Sequence, residues 1–301
     1  MSYERLPTFF VLGAAKSGTT SLYYYIKQHP QIYLSPVKET HFFDNDENYS
    51  LGIDAYIEYF FKGAERFPAR GDATPTYFHL PDKVAPRLAQ LYSNQKPRFI
   101  LIFRDPVARA WSHYLHNIRI QHEIESFEDA LRLEEERLEK GELKWIGYYL
   151  EGLYAQQLKK WLTYFNRDQF FFLLNEDLRN DPHTTFQQLF DFIGVEDTFQ
   201  PNTTNIMNPA SQPRSLFLSR LIKRNSLFKT VLKSVIPLPQ RKQISDYLIS
   251  KNLRRYDSPP KISEMTDAKL RHRYAADILE LAEIINRDLS AWLPKDNLRV
   301  S

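Results

Sequence analysis

The chain has 301 residues, of which 43% are hydrophobic, 14% aromatic and 26% charged, and its formal net charge is +3. This is apolar enough for a sizeable core and too weakly basic overall to require nucleic acid as a partner. The absence of cysteine excludes disulfides, thiolate catalysis and thiolate-bound zinc, and no apolar run is long enough to span a bilayer.

Taken in chain order, residues 8–12 read as a buried strand, and Gly13 opens a short loop, Gly13-Ala14-Ala15-Lys16-Ser17-Gly18, that leads into a helix over 18–29 ended by His29-Pro30. A strand, a small-residue loop and a helix N-terminus together favour a bound phosphate or sulfate, because the first-turn N–H groups and the helix dipole face the anion. Lys16 adds a positive charge, and Ser17, Thr19 and Thr20 add hydroxyl donors. The loop is not the nucleotide-hydrolase pattern G-x-x-x-x-G-K-[ST], since Lys16 precedes Gly18 rather than following it.

A short strand near 31–34 leads to Lys38-Glu39-Thr40-His41-Phe42-Phe43-Asp44. In an extended segment Glu39 and His41 share a side; Glu39 can serve as a general base or pair with Lys38, and His41 can orient it, act as the base, or be satisfied beneath the Phe pair. A helix over 52–62, a strand over 67–73 and a helix over 82–93 follow. Residues 98–103 form a second apolar strand ending in Arg104-Asp105-Pro106, with a long helix over 106–121. Arg104, at the carboxyl edge of a strand, offers a planar fork for a second anion, although it can instead pair with Asp105 or cap a helix. Ser112 lies about two helical turns further on. His113 and His116 have metal-compatible spacing but no third ligand nearby, so no metal is expected. The charged stretch 126–140 reads as a solvated helix, followed by helix 147–165, strand 169–174, helix 182–193 and a final helix over 262–293.

These motifs, in this order, resemble the sulfotransferases that use 3′-phosphoadenosine 5′-phosphosulfate (PAPS), above all the heparan-sulfate type and its bacterial relatives. The resemblance runs over residues 7–215, through the Gly13–Leu22 loop, Lys38–Asp44, Gly71–Tyr77, Phe99–Tyr114, Gly152–Trp161 and Asn175–Gly194, with a weaker echo at Asn286–Trp292. It implies an α/β, three-layer, P-loop-NTPase-like fold with a mostly parallel central sheet and helices on both faces. It implies PAPS as donor without a metal, held by Lys16, Ser17, Gly18, Thr19, Thr20, Ser21, Arg104, Ser112 and Arg214. Catalysis would rest on Lys16, Glu39 and His41, with Glu39 the general base for in-line transfer to an acceptor hydroxyl of a carbohydrate, glycolipid or small molecule. Ala73 stands where heparan-sulfate-type enzymes commonly carry a lysine, which argues against a highly sulfated or uronate-rich acceptor.

The expected organisation is one domain over 1–301, with a 7–215 core and a helical 216–301 extension packed on it. Between Arg214 and Arg255 eleven Lys or Arg face one acid, Asp246; a basic amphipathic helix here would contact an anionic membrane surface, steer anions to the cleft, or simply pack on the core. The expected enzyme is bacterial and cytoplasmic, with residues 216–255 available for peripheral membrane contact. An ATP-dependent kinase is the competing enzymatic reading, and a nucleic-acid- or membrane-surface-binding protein without catalysis the competing non-enzymatic one.

Overall fold

The computed structural model describes residues 3–120, 122–140, 147–204, 211–213, 253–255 and 260–295. They fall into two compact units. The first comprises residues up to Ala110, Gly147–Met207 and Asp267 onward, and the second Trp111–Ile146 and Asn208–Thr266.

The first unit is built on five parallel strands, β1 (Phe9–Gly13), β2 (Ile32–Leu34), β3 (Ala69–Ala73), β4 (Arg98–Phe103) and β5 (Phe170–Leu174), in the order β2-β3-β1-β4-β5. In the central register Phe9 lies opposite both Gly71 and Arg98. The unbroken apolar runs of β1 and β4 reflect burial on both faces. Alternate residues Phe9, Val11, Ile100 and Ile102 pack with Leu22 and Ile26 of α1 (Thr19–Ile26) and Phe186, Leu189 and Ile193 of α9 (Pro182–Ile193). On the other face Phe10 meets Phe43 and Tyr92, and Phe99 meets Trp161 and Phe165. This is the α/β arrangement, with a mostly parallel sheet between helices, that the motif order predicts.

The remaining helices of this unit are α2 (Asp46–Ser50), α3 (Ile53–Phe60), α4 (Pro81–Leu91), α7 (Tyr154–Leu162) and α8 (Asp177–Asn180), together with most of α10 (Glu264–Ile285). The helix expected over 147–165 is shorter: a 3-10 turn at Leu150–Gly152 precedes α7. Two contacts from α10 explain the break. A Cβ on Gly152 would lie 2.6 Å from the Tyr274 hydroxyl, and Asp277 accepts from the N–H groups of Ala155 and Gln156 at 3.0 and 3.1 Å. The expected helix over 262–293 likewise ends at Ile285, before Asn286 with φ 53°.

The second unit holds the latter part of α5 (Pro106–Arg119), α6 (Phe127–Glu139) and an antiparallel pair, β6 (Ser211–Pro213) with β7 (Leu253–Arg255). α6 is less solvated than its sequence suggests, because Glu134 is buried and Arg137 pairs with buried Glu123 at 2.6 Å. Of the basic segment, residues 214–252 lie outside the described residues, and Leu253–Arg255 are strand rather than helix. Among the described residues no helix is long and apolar enough to cross a membrane.

Candidate active site

The carboxyl ends of β1, β4 and β5 meet at the point where the strand order reverses, the place where open α/β sheets bind ligands. From β1 the chain turns through Lys16 at φ 69° and Gly18 at φ 109° into α1, whose first turn no side chain caps. Its first N–H groups therefore face outward unpaired with side chains. Ser17 and Thr19 are buried, and Thr20 and Ser21 half-buried. Asn175, just past β5, donates from Nδ2 to the Ser17 carbonyl at 2.8 Å, and a Cβ on Gly18 would lie 2.5 Å from that same nitrogen. Glycine is required here both by φ and by the approach of Asn175.

Arg104 follows β4 and reaches the loop, its Nη1 donating to the Lys16 carbonyl at 3.4 Å. Burial pushes its guanidinium pKa down, against the charges of Asp105 and Glu176, yet among the described residues it makes no ion pair. Asp105 is engaged elsewhere: one oxygen accepts from the N–H groups of Val107 and Ala108 at 2.9 and 3.1 Å, and the other pairs with Arg271 at 2.9 Å. A half-buried guanidinium with no carboxylate, beside an uncapped helix terminus and buried hydroxyls, fits a ligand with two separated phosphate groups.

Lys16, Glu39 and His41 are three of the four non-glycine residues with positive φ among the described residues, Glu39 at 66° and His41 at 50°. Such conformations cost about 1–3 kcal/mol each and persist where the surroundings fix them. Glu39 and His41 do come together, but through this left-handed turn and not through an extended strand. Glu39 Oε2 lies 3.8 Å from His41 Nε2, and Oε1 pairs with Lys38. His41 Nδ1 lies 3.0 Å from Asp44 Oδ2, to which Thr76 also donates at 2.5 Å. The bond to Asp44 raises the His41 pKa, aided by the charges of Asp44, Glu39 and Asp72 and opposed by burial.

The turn is pinned from below. Asp72 at the end of β3 is fully buried and accepts from Thr74 and Thr40 at 2.7 Å, from Tyr56 at 2.7 Å and from Tyr77 at 3.3 Å. Desolvation raises its pKa, and these four donors pull it back. The Glu39 N–H donates to the Ala73 carbonyl at 3.2 Å, while the Ala73 methyl is buried, so this position presents no charge.

Sequence reasoning passed over His79, which lies under the anion loop. Its Nδ1 lies 3.0 Å from Gln157 Oε1, and its Nε2 lies 3.4 Å from the Ala15 nitrogen and 3.3 Å from Glu151 Oε2. Burial pushes its pKa down, against the charge of Glu151, which is paired with Arg109 at 3.1 Å. No local signal marks this cluster, since its members come from four separate segments. Ser112 lies half-buried on α5 in the second unit, where His113 is buried and His116 Nδ1 faces Arg119 at 2.8 Å. Arg214 lies outside the described residues.

Residues 6–216 match the model of the sulfotransferase domain. The chain is 32% identical over 215 residues to human bifunctional heparan sulfate N-deacetylase/N-sulfotransferase 3, covering 64% of this chain and 23% of that protein. It is 30% identical over 193 residues to mouse heparan sulfate glucosamine 3-O-sulfotransferase 3A1, covering 64% of this chain and 47% of that protein. The chain thus spans less than half the length of either relative. A crystal structure of a sulfotransferase from Alicyclobacillus acidocaldarius superposes with a TM-score of 0.70 at 29% identity, over 95% of this chain and 98% of that one.

Proposed function

The chain belongs to the sulfotransferase domain family, and from that premise we propose that it transfers a sulfuryl group from PAPS to an acceptor hydroxyl, with Glu39 as general base. The single observation carrying the donor assignment is Arg104: a half-buried guanidinium without a carboxylate partner among the described residues, within hydrogen-bond reach of the Lys16 loop. When bound, PAPS supplies the sulfuryl group and a bisphosphate leaving group.

The residues divide the work by position. Arg104 holds the 3′-phosphate, and the first-turn N–H groups of α1 with the Thr19 and Thr20 hydroxyls hold the 5′-phosphate. Lys16 brings a positive charge to the same anion, which suits a reaction governed by positioning and charge stabilisation. Glu39 takes the proton of the acceptor hydroxyl. His41 Nε2 lies 3.8 Å from Glu39 Oε2 while its Nδ1 is engaged by Asp44 at 3.0 Å; its part is to orient Glu39. Relatives named for heparan sulfate and its glucosamine favour a carbohydrate acceptor, and the buried methyl of Ala73 favours one with fewer anionic groups.

Calorimetric titration with 3′-phosphoadenosine 5′-phosphate (PAP), beside ATP with magnesium, tests this reading. PAP should bind, and Lys16→Ala and Arg104→Ala should each abolish the heat. Binding of ATP but not PAP would move the assignment to phosphoryl transfer.

A further inference from the structure

The motif that supplies Arg104 also supplies its nearest competitor in sequence. Asp105 is adjacent, and an arginine beside an aspartate with nothing else to bind would form an ion pair and leave no free guanidinium for an incoming anion. In the structure the Asp105 carboxylate is taken by α10 instead. Arg271 reaches Asp105 with Nη1 at 2.9 Å while its Nε is fixed on Asp267 at 2.7 Å, and Nη1 also donates to the Trp292 carbonyl at 2.9 Å. The guanidinium is therefore held on three sides, and it is only 20% exposed.

The same segment acts a second time. Arg287, two residues past α10, makes a two-pronged pair with Asp177 at 2.7 and 3.1 Å, and its charge reaches Glu176. Asp105 and Glu176 are the two carboxylates whose charges bear on Arg104. Each is thus answered by an arginine from the C-terminal segment, directly for Asp105 and at longer range for Glu176.

We propose that Arg271 is a positioning residue for nucleotide binding: by holding the Asp105 carboxylate, it keeps Arg104 unpaired and available to a phosphate. The proposal rests on Arg104 being a phosphate contact, as argued above. Arg271 itself need not touch the nucleotide. Its contribution is electrostatic and acts through one carboxylate, so it should vanish when that carboxylate is neutralised.

Four variants test this by calorimetric titration with PAP. Arg271→Met should weaken PAP about tenfold, the effect of exposing Arg104 to one unmatched nearby charge. Asp105→Asn keeps the oxygen that caps α5 and should bind within about twofold of wild type. The double variant Asp105→Asn/Arg271→Met should recover to within about threefold, a rescue that a merely structural role would not give. A double variant as weak as Arg271→Met overturns the proposal, as does an Arg271→Met protein that binds normally while Arg104→Ala does not bind. Should Arg271→Met fail to fold, the double variant is compared with wild type alone, and a loss beyond threefold is decisive against it. Failure of the underlying reading is separate: wild type would not bind PAP, or Arg104→Ala would bind it unchanged.

Discussion

Thr40 Oγ1 donates to Asp72 Oδ2 across 2.7 Å, and Thr40 is the residue that separates Glu39 from His41. A buried charge-assisted bond of this kind is worth about 1.5–3 kcal/mol. Thr40→Val keeps the shape and removes the donor, so the free energy of unfolding should fall by about 1.5–3 kcal/mol. Because the anion loop is built on β1 and β4, kcat should fall more than PAP affinity, and Thr40→Ser should restore both. Lower stability with unaltered kcat would reduce the bond to scaffolding.

Glu39→Gln removes the proton acceptor and keeps the size. Turnover should drop by about 10²–10⁴-fold, the usual contribution of a general base, with PAP binding unchanged by calorimetry. A parallel loss of affinity would show that Glu39 serves nucleotide binding instead.

Gly18→Ala meets two obstacles, a φ of 109° and an amide nitrogen 2.5 Å from the new methyl. The conformational cost alone is about 1–3 kcal/mol. Thermal stability should fall and PAP binding should be lost. Adding Asn175→Ala, which clears the amide but leaves the dihedral, should recover only part of the stability; complete recovery would mean that the backbone angle is not limiting.

His41 sets a pH dependence with a definite sign. Its pKa is raised from the ordinary 6.5 chiefly by the bond to Asp44. A group whose pKa is higher folded than unfolded contributes stability that is complete below about pH 6.5 and is lost as pH rises through the folded value. Denaturation midpoints should therefore decline across that interval, and turnover should fall on the same alkaline limb as the imidazolium stops orienting Glu39. His41→Asn should flatten the stability curve and remove the limb from the rate profile. A limb that survives the substitution belongs to another group.

Strands β1, β2, β4 and β5 were legible because each is a short apolar run, which β3, Ala-Arg-Gly-Asp-Ala, is not, and the loop after β1 because Gly13, Lys16 and Gly18 interrupt one at telling positions. Glu39 and His41 could be named from sequence and placed on one side, but the route by which they meet could not be derived, since it depends on left-handed dihedrals in a turn that Asp72 holds through Thr40. The Asp72 cluster draws on Tyr56 and Tyr77, and the His79 cluster on Gln157 and Glu151. Partners so far apart leave no periodic trace. The break before α7 was hidden for the same reason, being dictated by Tyr274 and Asp277 more than a hundred residues downstream.

The central place of β1 has a consequence for biosynthesis. Of the five strands of this sheet, the first in sequence lies opposite Gly71 on one side and Arg98 on the other, so it leaves the ribosome with neither neighbour available. Parallel pairing over such sequence distances is slow and leaves apolar edges exposed meanwhile. The turn carrying Lys16 gains its last wall only when Asn175 emerges, and Asp105 gains its arginine later still. Nascent chains stalled before α10 should therefore carry a formed sheet with Arg104 captured by its neighbour, and nucleotide competence should follow only once Arg271 has emerged.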